Sequence, residues 1–322
     1  MPPVKPKKKK AVAPRVRRPA MRLVGAELEF GRSANQSLDQ MQRIVHDITQ
    51  RQGMQCVSNE VDTHWTMKTD HCGYELTTPA FVANNVNFMK IYQIVEDLRR
   101  EVFYRHNVAS QPSETGLHVH VDIRDLNSDQ IKNLINLFRT FEPALQDIQH
   151  PRRRENSWCQ TLHSYFNGRE GQLVRERLER LNSNDVNILR DHQQALNFGR
   201  YGSYGRYGSY GSDRKTIEIR YGAASVRGRK VINWMQVLTF LVEASKVVEN
   251  YQYNTCGSLE DLAEFMMNIE TGTWLDRRRR NLIAWMNRRH QQLYHRREWR
   301  EVRDARRAAE TTIIEEEAPE VA

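Results

Sequence analysis

Three short segments of the 322-residue chain carry the same arrangement of reactive side chains: Glu27-Leu28-Glu29, His118-Val119-His120 and Glu218-Ile219-Arg220. In each, two metal- or phosphate-seeking residues at i and i+2 flank one apolar residue. On a β-strand successive side chains point to opposite faces, so i and i+2 share a face. The neighbours fit strands. Val24, Ala26, Leu28 and Phe30 fall opposite Glu27 and Glu29. Leu117, Val119 and Val121 fall opposite His118 and His120, and Ile217, Ile219 and Tyr221 fall opposite Glu218 and Arg220. A fourth carboxylate, Glu75, sits in the strand-like run Gly73 to Thr77. One sheet holding all four segments would have a polar floor of carboxylates, imidazoles and a guanidinium. Such a floor binds divalent cations and something phosphorylated. A single alternating strand is usually just a sheet with one wet face. Three such pairs plus Glu75 are hard to assign to that cause.

The elements that must position these groups alternate along the chain. Strands are predicted at 21–31, within 55–79, at 116–123 and at 214–222. Helices are predicted at 36–53, 84–106, 128–148, across most of 155–192, and at 229–251. Ser37 or Asn35 would cap the first helix, and Asn127 or Ser128 the third. The helix at 229–251 carries Val231, Trp234, Leu238 and Leu241 and reads as core. Strands separated by long helices without a strict βαβ rhythm indicate an α+β fold. Its sheet should be largely antiparallel, with helices on one face. Two segments stand apart. RYGSYG occurs twice in tandem, at Arg200–Gly205 and Arg206–Gly211. Glycine at every third position excludes a regular helix and a stable central strand. It reads as a loop that could set Arg200 or Arg206 on a phosphate and stack Tyr207 on a base. Residues 274–310 read as a helix with twelve arginines and five acids, followed by Glu315-Glu316-Glu317.

Charge is unevenly spread. The net charge is +9, and residues 1–22 hold nine Lys and Arg and no acid, so the rest of the chain is neutral. The basic balance belongs to a tail. Five prolines and few large apolar residues make that tail disordered by expectation. It suits nucleic acid, an acidic partner, or plain solubilisation. No secretory h-region and no membrane-length apolar run is present. Cys56, Cys72, Cys159 and Cys256 form no CxxC, which excludes a zinc ribbon and suggests a reducing, cytoplasmic compartment. The expected organisation is a basic tail (1–20), a catalytic domain (21–255), a helical Arg-rich extension (256–310) and an acidic tail (311–322).

Four motifs in order carry a resemblance: GxExE at Gly25–Glu29, Asp70 followed by Glu-Leu-Thr-x-Pro at Glu75–Pro79, GxHVH at Gly116–His120, and TIEIR at Thr216–Arg220. Together they resemble the amidoligase family, a distant branch of the carboxylate–amine ligases with the glutamine synthetase fold. The resemblance covers roughly residues 22–250. It implies an enzyme that uses ATP to convert a carboxylate to an acyl phosphate, which an amine then attacks to give an amide, ADP and phosphate. Mg2+ would neutralise the triphosphate against the carboxylate, with Mn2+ a competent substitute. Carried over residue by residue, Glu29, Glu75 and Asp70 form one metal site. Glu27, His118 and Glu218 form the second. His120 reaches phosphate, and Arg220 stabilises the transferring phosphoryl group. The loop would add Arg200, Arg206 and Tyr207. The acid and the amine are left open among small molecules, peptides and protein side chains, and so is the oligomeric state. Two other classes share these residues. A two-metal hydrolase could use the same His/Glu cluster, although eight βα units for a barrel are lacking and carboxylates outnumber imidazoles. A non-enzymatic nucleic-acid-binding protein could use the basic arms.

Overall fold

A computed structural model describes residues 22–31, 37–54, 56–57, 64–70, 73–103, 115–154, 157–168, 171–181, 189, 194–198 and 216–295. Eight strands form one sheet: β1 (Leu23–Gly31), β2 (Cys56–Val57), β3 (Trp65–Asp70), β4 (Gly73–Thr77), β5 (Phe81–Val82), β6 (Gly116–Asp122), β7 (Leu196–Asn197) and β8 (Thr216–Ala223). The order is β2-β3-β4-β1-β6-β8-β7, with β5 also pairing β1. Every pairing is antiparallel except β2 with β3. The expected α+β architecture is therefore present.

The alternation read from the sequence sets the two faces. Val24, Ala26, Leu28, Val119, Val121, Ile217 and Ile219 are all buried on the apolar side. Helix α1 (Leu38–Arg51) begins at a capping box in which Ser37 and Gln40 satisfy each other's backbone amides. Helix α2 (Asn85–Leu98) starts at Asn84, and α3 (Ser128–Asp147) at an Asn127–Gln130 capping box. Short helices α4 (Pro151–Arg154), α5 (Leu162–Asn167) and α6 (Gly171–Glu179) follow. Helix α7 (Gly228–Val247) is buried on nearly all sides from Val231 to Ser245, which is why its sequence shows little amphipathic stripe. It packs on β1 and β6, with α2 and α3 against it. Beyond it lie α8 (Leu259–Asn268), a 3-10 turn at Trp274–Arg277, and α9 (279–295).

Several elements differ from expectation. The second helix is shorter than 84–106: it passes at Arg99 into a π turn ending at Phe103, which keeps Val102 buried. The described residues of the 155–192 stretch are mostly helical, as expected, but in separate short pieces. Helix α5 stops at Asn167, and a Cβ at Gly171 would lie 1.9 Å from the Phe166 carbonyl oxygen, so only glycine permits the chain to fold back there. The core helix ends at Val247, not 251. Residues beyond 255 join the same apolar core: Leu259, Leu262, Met266, Leu275, Leu282, Trp285 and Met286 are buried in it. No helix among the described residues is long and apolar enough to cross a membrane. Among them, Cys159 is a buried free thiol and Cys256 an exposed one.

Candidate active site

The strand register explains how residues nearly 200 positions apart converge. Glu27 is the direct cross-strand partner of His118, Glu29 of Glu75, and His120 of Glu218. Between β6 and β8 the register slips by one residue, so Arg220 and Tyr221 together face His118. At this slip the Arg220 guanidinium lies on the polar face, its Nε 3.4 Å from His118 Nε2. Tyr221 goes the other way, stacked on Phe138, and its hydroxyl donates to Glu142 at 2.6 Å.

The polar face is buried, not wet: Glu27, Glu29, Glu75 and Glu218 are each at most 9 % exposed, and His118 is 2 % exposed. Burying four carboxylates is costly unless each is paired. They are paired in an interlocked set. His118 Nδ1 lies 3.1 Å from Glu27 and 3.2 Å from Glu218, while its Nε2 lies 3.3 Å from Glu29. His120 Nε2 lies 2.9 Å from the other Glu27 oxygen. Arg220 Nε lies 3.2 Å from Glu218. Outer partners hold the carboxylates in place. The Gly116 amide donates to Glu29 at 2.6 Å, and the Asn197 amide to Glu218 at 3.0 Å. Lys68 Nζ lies 3.0 Å from Glu75 Oε1, and the Thr77 hydroxyl donates to the same oxygen at 3.0 Å.

Ionisation follows from this pairing. Burial pushes the Glu27 carboxyl up, but the field of His120 and the hydrogen bonds from His118 and His120 outweigh it and hold Glu27 well below the usual carboxylate range. Burial also opposes ionisation at Glu218, where His118, His120 and Arg220 together prevail and leave its pKa lowered. At Glu75 burial wins. The neighbouring Glu27 charge adds to it, and Lys68 and Thr77 only partly offset the rise.

The residues named from the sequence are thus mostly in one place. Glu27, Glu29, Glu75, His118, His120, Glu218 and Arg220 share the polar face. Asp70 ends β3, paired in register with Gly73, and its side chain lies outside the described residues. Arg200, Arg206 and Tyr207 also lie outside them, as do both tails. One regrouping emerges. Single ligand atoms of Glu27, His120 and Glu218 all lie within 4.8 Å of one another. His120, read from the sequence as a phosphate contact, is therefore in place to complete a three-ligand cation site, and its set of two carboxylates and one imidazole suits Mg2+ or Mn2+. His118 sits behind as the hydrogen-bonding hub.

Four further residues contribute, of which sequence reasoning named only Gly116, as the glycine of GxHVH. Asn197 and Lys68 have no signature a single sequence displays. Gly116 offered a hint, since a Cβ there would meet Arg153 Nη2 at 2.6 Å and His118 Nε2 at 2.8 Å. The fourth is Arg153 itself, 1 % exposed, which donates to the Arg220 carbonyl at 3.1 Å and adds a second guanidinium beside the histidines.

Comparison with known proteins agrees with the motifs. Residues 20–242 match the family described as "Putative amidoligase enzyme". A solved structure described as "Crystal structure of novel glutamine synthase homolog" aligns with 85 % of this chain and 67 % of its own, at 16 % identity and a TM-score of 0.41. No curated protein sequence matches the chain.

Proposed function

Because the chain belongs to the amidoligase family, we propose that it is an ATP-dependent carboxylate–amine ligase working through an acyl phosphate on the polar sheet face. The observation that carries this reading is the buried, hydrogen-bonded cluster of Glu27, His120 and Glu218 with Arg220 beside it. A divalent cation held by Glu27, His120 and Glu218 would neutralise phosphate charge that two carboxylates alone would repel. Glu29 and Glu75, with Asp70 as a further candidate ligand, form the acid-substrate side.

The chemistry balances simply. An oxygen of the acid attacks the terminal phosphorus of ATP, the bond to the bridging oxygen breaks, and ADP leaves. The amine nitrogen then attacks the acyl carbon, phosphate departs, and one proton is released. Arg220 presents a planar fork to the transferring phosphoryl group, where charge spreads in the transition state. Its orientation is fixed by Glu218 at 3.2 Å and, through its carbonyl, by Arg153. Asn197 holds Glu218, and the Gly116 amide holds Glu29, so the carboxylates are preorganised rather than recruited. The Arg–Glu–His pairing also holds the carboxylates in place before substrate arrives. Arg200 or Arg206, with Tyr207, is proposed to close over the nucleotide.

The test is a screen of the full-length protein with Mg2+, ATP and pairs of carboxylates and amines, reading ADP release and the mass of the condensed product. One pair that yields stoichiometric ADP and amide supports the reading. Absence of Mg2+-dependent ATP binding overturns it.

A further inference from the structure

Helices α2, α7 and α9 meet around a cleft of about 480 Å3 on the helical side of the sheet, away from the polar face. Each helix contributes residues at helical spacing. Arg278, in the turn just before α9, is followed by Asn281, Trp285 and Arg288 on α9. Arg229 comes from the first turn of α7, and Tyr92 from the middle of α2. Three guanidinia therefore line one cleft, and no carboxylate among the described residues lines it.

This balance is unusual for the molecule. Arg22, which is buried, is paired with Glu243 at 2.7 Å and Asp125 at 2.5 Å. Arg51 pairs with Glu101, and Arg124 with Asp122. Arg229, Arg278 and Arg288 have no ion-pair partner among the described residues. Arg278 Nε is moreover buried without a hydrogen-bond partner among them. Guanidinia gathered without counter-charge repel one another, and a buried N–H left unmade costs stability. An anion resolves both. The remaining wall is aromatic and amide: Tyr92 and Trp285 offer flat apolar surface, and Asn281 offers a donor and an acceptor. The volume falls in the range of small-ligand sites, and a concave pocket is not the broad strip that duplex nucleic acid requires.

We propose that this cleft is a binding site for a small phosphate ester with a planar ring, of nucleotide type, distinct from the site on the sheet. The phosphoryl group would sit among Arg229, Arg278 and Arg288, whose forked donors match its oxygens, and the ring would lie against Tyr92 and Trp285.

The proposal does not depend on the ligase reading, and its test is built to stay separate from it. The full-length protein is titrated with adenosine monophosphate, inorganic phosphate and adenosine by calorimetry, in EDTA so that metal-dependent nucleotide binding is suppressed. Adenosine monophosphate should bind more tightly than either fragment. Arg288→Gln, at an exposed position where folding is safe, and Arg278→Gln should each weaken it by about tenfold or more, while Arg220→Ala leaves it unchanged. Matched thermal unfolding of each variant confirms that it is folded. The proposal is overturned if the full chain binds none of the three, if Arg288→Gln binds as well as the parent, or if Arg220→Ala abolishes binding.

Discussion

On the sheet, every buried charge has an opposite within reach: Glu27 lies 2.9 Å from His120 and 3.1 Å from His118, and Glu218 lies 3.2 Å from Arg220. In the cleft between α2, α7 and α9, Arg229, Arg278 and Arg288 line the space with no acid beside them among the described residues. The two regions handle charge in opposite ways. The sheet face supplies its own partners, so its carboxylates are held before any ligand comes. An incoming cation would meet Glu27 and Glu218 with their pKa values already held low by the neighbouring His118, His120 and Arg220. The cleft is left with an excess of one sign, which a ligand of the other sign completes. A self-neutralised cluster is a place for chemistry, where groups must not move. An unbalanced one is a place for binding, where the ligand supplies the missing partner.

Removing one member of the balanced cluster should have the largest effect. Glu218→Ala takes a carboxylate from the cation site and the counter-charge from Arg220 and His118. Metal-dependent ATP turnover should fall by about two orders of magnitude or more, while circular dichroism stays native. Unchanged turnover in purified Glu218→Ala would remove these residues from the site.

Arg220→Lys comes next. Lysine keeps the charge and loses the fork, so turnover should fall nearly as far as in Arg220→Ala. If the lysine variant keeps more than about a third of parent activity, Arg220 acts only as a field charge.

Much of this division could be read from the residues alone, and the reasons are physical. A strand has a period of two, so Glu27, Glu29, His118, His120, Glu218 and the apolar residues between them declare their faces without any knowledge of partners. Capping boxes are equally local, and Ser37 and Asn127 stand where they were expected. What stayed hidden depends on contacts between distant segments. The one-residue slip facing Arg220 and Tyr221 to His118 is a property of two strands, not of either. The backbone approach that breaks a helix at Gly171 involves Phe166 only once the chain turns. Arg153 sits in Arg152-Arg153-Arg154 with no local sign of burial, and its burial beside Gly116 is a tertiary fact. The arginines of α9 were legible as dense charge, but their convergence with Arg229 needed the packing of three helices.

Within the sheet face a finer contrast separates Glu75 from Glu218. Burial, reinforced by the Glu27 charge, raises the Glu75 pKa above its ordinary 4.5. The fold therefore prefers it protonated, and its charge is a cost once pH exceeds that range. Glu218 is lowered, so its ionised form contributes stability that is present above pH 4.5 and is lost as pH falls through its folded value. At pH 7, Glu75→Gln should unfold at the same temperature as the parent or higher, and Glu218→Gln lower. A scan at both pH 7 and pH 4 decides it, because the deficit of Glu218→Gln should shrink in acid. Equal losses for both variants at pH 7 would mean that the Lys68 pair, not burial, governs Glu75.

The smallest effect belongs to the helical side. Lys230 follows Arg229 in the first turn of α7, its Nζ 3.4 Å from the Ala223 carbonyl. Burial, with Arg289 and Arg227 adding repulsion, pushes its pKa down from 10.5 to about 7. The folded state thus holds a charged lysine at a cost that is complete below about pH 7 and fades as pH rises toward 10.5, where the unfolded chain also loses its proton. Lys230→Met keeps the length of the side chain and removes the charge. At pH 7 it should raise the unfolding temperature by about 2 °C or more, and the gain should narrow at pH 10. If a phosphate ester fills the neighbouring cleft, its negative charge offsets part of the same repulsion, so saturating adenosine monophosphate should shrink the gain at pH 7 as well. A gain that ignores both pH and ligand would show that Lys230 is strained by packing alone and that the excess positive charge of this region is already satisfied.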